Sequence, residues 1–184
     1  MDWKGIRWER VALSLSAGLA VLFGAHFLEQ VVRVEKPLKS RIMEIQGVSG
    51  VSWRREQAGY EMNLRLDENV SNLQDTVEKS VKLAEERLNA PVVSLGIKDK
   101  PDRKLLDAYY DQHFYLAEAA MLGNFGAMKK QVDSLARRPG SPQTKVYIGK
   151  EYLFIQMKDG AHYLYRIVER RQAGGAGTGG GNPA

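Results

Sequence analysis

The chain has 184 residues, of which 27 are Lys or Arg and 22 are Asp or Glu, so that its net charge is +5. It contains no cysteine, which excludes disulfides, thiolate metal sites and cysteine nucleophiles. The basic and acidic residues are interspersed rather than gathered into tracts, a pattern that suits a soluble domain near anionic lipid better than a nucleic-acid-binding protein.

An uncharged run from Val11 to Leu28 follows a short N-terminal tail, residues 1–10. A helix of this length spans most of a hydrocarbon core of ~30 Å. We therefore predict a transmembrane helix over residues 11–32, with the lipid bilayer as a partner. A cleaved signal peptide is the alternative, because the tail is basic. A cut after Ala25 would place Phe23 where cleavage needs a small side chain, which favours a retained anchor.

The predicted span has a face of small residues, Ser16, Ala20 and Gly24, spaced every four positions. Such a face allows close approach of another membrane helix, although small residues are also common in membrane helices in general. Basic residues flank both ends of the span, so the positive-inside rule barely discriminates. An uncleaved N-terminal anchor usually leaves its N-terminus in the cytoplasm, and we expect a single-pass protein of the cell membrane with an extracytoplasmic domain.

Residues 37–99 show the clearest periodicities. Pro37 begins a short helix with an apolar stripe, and Gly47 ends it. A strand is predicted over Val48–Glu56. The next strand is the strongest prediction, because apolar and polar residues alternate from Tyr60 to Asp67. Ala58 and Gly59 form the turn between the two strands.

A charged amphipathic helix is predicted next, with Ser71 and Gln74 as a capping box. Its apolar side comprises Leu73, Val77, Val81, Ala84 and Leu88. Its other side carries the i,i+4 pairs Asp75–Lys79 and Glu78–Lys82. Pro91 closes the helix, and Val93, Leu95 and Ile97 alternate as a third strand. The order helix, strand, strand, helix, strand places two helices on one face of a three-stranded sheet, as a small αββαβ domain.

The pattern of Leu38, Ile42, Ile45-x-Gly47-Val48-x-x-Val51, followed by Gly59, an alternating strand and a charged helix, resembles the ring-building-motif domains of membrane-anchored secretion and sporulation channel proteins. It is also similar to the ferredoxin-like domain that ends cation-diffusion transporters, but the metal-ligating His and Asp positions of that domain have no counterpart here. The resemblance covers about a third of the chain. It implies side-by-side packing of copies around a ring.

The remaining segments are predicted to form an αα-hairpin and a β-meander. The hairpin occupies residues 102–136 and turns at Gly123-Asn124, and we expect it to pack on the αββαβ sheet. Its first helix has a broad apolar face that includes Leu106, Tyr110, His113 and Met121. A β-hairpin or meander over 145–170 turns at Asp159-Gly160. Residues 173–184, rich in glycine, have too little side chain to bury and are expected to be a disordered tail.

No motif predicts chemistry. Asp107, Asp111, His113 and Glu118 crowd the first hairpin helix, but their spacing points them to different sides, so we predict no metal site. Nucleophile elbows and phosphate-binding loops are absent from the sequence, and we expect neither catalytic residues nor a cofactor. Tyrosines and lysines interleave on the C-terminal strands, but the same residues are typical of protein interfaces, and we predict no nucleic-acid partner.

The sequence therefore predicts an α+β protein, anchored by one N-terminal transmembrane helix, that is not an enzyme. We expect a structural or assembly subunit that binds proteins, either as a homo-oligomer or with partners in a membrane complex. The charged face Glu78, Lys82, Glu85 and Glu86 is the candidate protein interface, with a merely solvated helix face as the alternative. A membrane-tethered sensory or regulatory module, binding a small ligand between sheet and αα-hairpin, is the alternative function.

Overall fold

A computed structural model describes residues 36–171 and, before them, Leu19. Apart from Leu19, the predicted tail 1–10, the transmembrane helix 11–32 with Ser16, Ala20 and Gly24, and the glycine-rich tail 173–184 lie outside the described residues. Among the helices that are described, none is both long enough and apolar enough to cross a membrane.

The described residues form an α+β fold with four helices and two three-stranded sheets. The elements in chain order are α1 (Lys36–Met43), β1 (Val48–Arg55), β2 (Tyr60–Leu66), α2 (Leu73–Leu88), β3 (Val92–Lys98), α3 (Arg103–Leu122), α4 (Phe125–Ala136), β4 (Gln143–Ile148), β5 (Tyr152–Asp159) and β6 (His162–Glu169).

The first sheet has the order β1-β2-β3 and carries α1 and α2 on one face. β1 and β2 are antiparallel, whereas β2 and β3 are parallel and are joined through α2. The alternation predicted for β2 is confirmed, since Met62, Leu64 and Leu66 are buried and Arg65 is exposed. Gly47 lies between α1 and β1 and has a φ of +87°, a left-handed conformation that favours glycine. The chain leaves its helical course here, and β1 begins at the next residue.

Two local predictions in this unit are wrong. The N-cap of α2 is Asn72, whose Oδ1 accepts a hydrogen bond from the N–H of Asp75 at 3.2 Å. The Ser71–Gln74 capping box therefore does not form, and the side chain of Gln74 donates to Glu78 instead. In β3, Leu95 and Ile97 pack against the core as predicted, but the register shifts opposite Tyr60 and Glu61, so that Val93 is 46% exposed and Val92 packs against the core in its place.

The second sheet is an antiparallel meander of order β4-β5-β6, as predicted. Its central strand, β5, is buried on both faces. Leu153, Ile155 and Met157 face the αα-hairpin, while Phe154 joins the core formed by the first sheet, α1 and α2. The described part of the chain is thus layered as sheet, helices, sheet and helices.

The αα-hairpin packs on β5 and β6, and not on the sheet of residues 37–99 as expected. The reason lies in β5, whose residues Leu153, Ile155 and Met157 offer an apolar face to the αα-hairpin while Phe154 on the opposite face packs with the first sheet and its helices. The predicted turn is confirmed: Gly123 caps α3 in the left-handed conformation, with φ +73°, and its N–H donates to Ala119 at 2.8 Å.

Candidate interaction surfaces

Helix α3 has two apolar faces, of which only one is buried. Leu105, Leu116, Ala119 and Ala120 pack in the core against β5, β6 and α4. A second set of residues, which we name the α3 stripe, lies on the opposite side of the predicted apolar face. It comprises Leu106, Tyr110, His113, Phe114, Ala117 and Met121. The broad apolar face predicted for this helix is therefore buried only in part.

Exposure of the α3 stripe is high for apolar side chains. Tyr110 is 64% exposed and Phe114 is 62% exposed, and Leu106 and Met121 are about half exposed, at 45% and 54%. At 100° per residue, the six positions of the stripe fall within an arc of about 100°. The stripe is therefore a continuous surface and not a scatter of single residues.

The aromatic residues of the stripe contact one another. The His113 and Phe114 rings have centroids 3.8 Å apart, and Tyr110 lies 5.1 Å from His113 and 5.9 Å from Phe114. His113 Nδ1 lies 2.6 Å from the carbonyl oxygen of Tyr110. The three rings therefore form one aromatic cluster on the exposed side of α3.

The acidic residues of α3 do not converge with His113. Asp107 is paired within the helix with Arg103 at 3.7 Å, and Glu118 accepts from Asn124 at 2.7 Å. His162, near the β5–β6 turn, lies 3.8 Å from Asp102. Across residues 36–171, no group of three or more His, Asp or Glu side chains is arranged to hold a metal ion.

The charged residues of α2 that were predicted as a protein interface differ in their contacts within the fold. Glu85 Oε1 accepts from the N–H of Val92 at 2.8 Å and so closes the connection to β3. Glu78 accepts from Gln74 and lies against Gly149 in the β4–β5 turn. Lys82 lies 4.0 Å from Glu86 rather than pairing with Glu78, and both of these side chains are exposed.

A groove of about 320 Å³ lies between α4 and β4. Its apolar lining comes from Phe125, Met128 and Val132 of α4 and from Val146 and Ile148 of β4. Lys129 and Asp133, 2.8 Å apart, lie on its helical side, and strand β4 forms the other side. The groove lies against the C-terminal meander, and not between the first sheet and the αα-hairpin, where the small-ligand cleft was expected.

Buried polar groups between the two sheets are structural. Asp99 Oδ2 accepts from the N–H of Tyr165 at 2.8 Å and from Arg166 at 2.7 Å. The Tyr165 hydroxyl donates to the carbonyl of Asp67, also at 2.8 Å. Burial, reinforced by neighbouring Tyr163 and Asp67, raises the pKa of the Tyr165 phenol. These groups join the end of β3 and the end of β2 to β6.

Comparison with protein-family models and with characterised proteins found no match for the chain. The surfaces above therefore have to be interpreted from their own geometry. The one surface that sequence reasoning missed is the α3 stripe. The sequence does contain a sign of this surface. The apolar positions of α3 cover an arc that is wider than a helix buried on one side only would need.

Proposed function

We propose that the chain is a membrane-anchored assembly subunit that acts by binding proteins, and that its first partner is a second copy of itself. The observation that carries the proposal is the exposure of the α3 stripe. A contiguous apolar and aromatic surface of this kind is typical of protein–protein contacts. Tyr110 and Phe114, as large and rigid side chains, are the residues we assign as its anchors.

The spacing of the α3 stripe favours a second copy as the partner. Successive gaps between its positions are 4, 3, 1, 3 and 4 residues, and they read the same in both directions. When two α3 helices pack antiparallel about a twofold axis near His113 and Phe114, Leu106 of each copy meets Met121 of the other. Tyr110 likewise meets Ala117. An isologous contact of this kind buries every apolar position of the stripe.

The membrane part of the proposal rests on the uncharged run from Val11 to Leu28. The anchor would leave residues 36–171 beside the bilayer, where two-dimensional confinement raises the effective concentration of copies. The order α1-β1-β2-α2-β3 agrees with the ring-building resemblance, under which further copies would pack side by side. Dimers formed through α3 would then be the unit that such a ring repeats, with the soluble part outside the cytoplasm.

Light scattering after size exclusion, on residues 36–172, tests the proposal. We expect a concentration-dependent dimer for the natural sequence and a monomer for Phe114→Glu, because the substitution buries a charge in the contact. Leu122→Glu is the matched control. Leu122 is 72% exposed on the same helix but lies off the stripe, and its variant should dimerise normally. A natural sequence that stays monomeric at all concentrations would contradict the proposal.

The alternative function, a membrane-tethered sensory module that binds a small ligand, is supported by the groove between α4 and β4. It differs from the assembly function in its solution behaviour. The sensory module would be a monomer whose melting temperature rises with ligand concentration.

A further inference from the structure

Strand β4 forms one edge of the second sheet. In the turn that follows it, the N–H of Gly149 donates to the carbonyl of Tyr152 at 2.9 Å, so this is a hydrogen-bonded pair. Bonded and non-bonded pairs alternate along an antiparallel ladder. Counting back from Gly149 two residues at a time, the backbone groups of Tyr147 and Lys145 are hydrogen-bonded to β5. The N–H and C=O groups of Thr144, Val146 and Ile148 therefore point outward, away from β5.

The outward-pointing residues have their side chains in the groove. Side chains alternate along a strand, and Val146 packs with the hairpin core while Tyr147 packs with the core on the other face. The side chains of Thr144, Val146 and Ile148 therefore line the groove. The backbone groups of the same three residues are the ones that point outward at the edge of the sheet. Within residues 36–171, no other strand pairs with this side of β4.

We propose that the edge of β4 and the groove beside α4 bind an extended peptide segment of a partner protein, added as a fourth, antiparallel strand. The backbone of the peptide pairs with Thr144, Val146 and Ile148. Its alternate apolar side chains fill the groove against Met128 and Val132 of α4. This site is separate from the α3 stripe, and the inference does not rest on the pairing of two copies.

Charge complements this geometry. The side chains of the intervening peptide residues would lie on the other face of the sheet, beside Lys145. Lys145 is exposed there. Burial lowers the pKa of the neighbouring Lys158, and the charge of Lys145 lowers that pKa further. An acidic residue at these peptide positions would relieve that repulsion. The segment is therefore one with apolar and acidic residues in alternation.

The C-terminal tail of the chain itself does not have this chemistry. Residues 173–184 read AGGAGTGGGNPA and contain no large apolar side chain and no acid. They have nothing with which to fill a groove of about 320 Å³. This tail is therefore excluded as the occupant of the groove.

Fluorescence anisotropy with the full chain in detergent tests the inference. The probe is a labelled, capped peptide of alternating Glu and Val, eight residues long. The valines, whose side chains enter the groove, are also the residues whose N–H groups face β4 in antiparallel pairing. We expect N-methylation of the two central valines to weaken binding at least tenfold, and N-methylation of the central glutamates to leave it unchanged. Equal effects of the two modifications would overturn the proposal.

Two substitutions of matched exposure locate the site. Ile148 is 45% exposed on β4, and Val93 is 46% exposed on β3. Ile148→Ser should weaken peptide binding at least fivefold, and Val93→Ser should not change it. Phe114→Glu should bind the peptide normally, which separates this site from the α3 stripe. If Ile148→Ser binds the peptide as the natural chain does, or if it instead dissociates a dimer, the edge of β4 does not serve as the peptide site.

Discussion

The side-chain amide of Gln156 holds the backbone of Leu73 across 83 residues of chain. Gln156 Oε1 accepts from the N–H of Leu73 at 3.1 Å, and its Nε2 donates to the carbonyl of Val70 at 2.8 Å. Gln156 is buried in the middle of β5, and Leu73 begins α2. One side chain thus satisfies a free N–H at the start of a helix and ties the two sheets together.

Gln156→Leu should destabilise the fold by about 1–3 kcal/mol, because it leaves the buried N–H of Leu73 without a partner. The carbonyl of Val70 keeps a second donor, Lys158, at 2.9 Å. The measurement is urea denaturation of residues 36–172. Gln74→Leu is the control, because Gln74 follows Leu73, is only half-buried and makes a solvent-exposed hydrogen bond to Glu78, and it should change stability by less than about 1 kcal/mol. Similar losses in the two variants would show that the Gln156 amide does not join the sheets.

The register of β2 is tested by two neighbouring substitutions. Leu64 is fully buried, and Leu64→Asp should cost several kcal/mol because it puts a charge into the core. Arg65 is exposed on the opposite face, and Arg65→Asp should leave the fold intact. Thermal melting of both variants measures the difference. Equal melting temperatures would mean that the assigned register is wrong.

The fold should lose stability at alkaline pH. Burial raises the pKa of Tyr165, so the folded state keeps a proton that the unfolded chain, with an ordinary tyrosine pKa of about 10, releases. The stabilisation is therefore complete below pH about 10 and is lost as the pH rises further. Urea midpoints between pH 8 and 11 should fall with pH.

Tyr165→Phe is the matched variant for this pH dependence. It removes the phenol, and its midpoint should fall less steeply above pH about 10. The slope should not vanish, since burial also raises the pKa of Tyr109 and Tyr152. At neutral pH the variant should lose about 1 kcal/mol, the usual value of one hydrogen bond. The same slope in both proteins would show that Tyr165 does not titrate with unfolding.

Elements with a regular period could be predicted from the sequence, and their neighbours in space could not. The alternation of β2 and the glycine break after α3 depend on residues a few positions apart. The location of the αα-hairpin depends on β5, whose two faces pack against segments that are distant in the chain. Likewise, the periodicity of α3 shows that Tyr110 and Phe114 share a face, but not that the core lies on another side of the helix.

The charged face of α2 is a second candidate contact, and a charge reversal distinguishes it from α3. Lys82 and Glu86 are an exposed pair within one helix, and such a pair is worth about 0.5 kcal/mol. Exchanging the two charges should change the dimer dissociation constant by less than about threefold if α3 is the contact. Loss of the dimer in this double variant, measured by light scattering, would move the interface to α2.

The central claim, that two copies pair through the α3 stripe, is tested most directly by cross-linking in the membrane. The chain contains no cysteine, so His113→Cys and Leu122→Cys each introduce a single thiol and keep both anchors, Tyr110 and Phe114. In antiparallel pairing, a rise of 1.5 Å per residue places the two copies of position 113 about 1.5 Å apart along the helix axes and the two copies of position 122 about 25 Å apart. A short bismaleimide should give a covalent dimer of full-length His113→Cys and none of Leu122→Cys. Equal yields from the two positions, or no dimer from His113→Cys, would contradict the account.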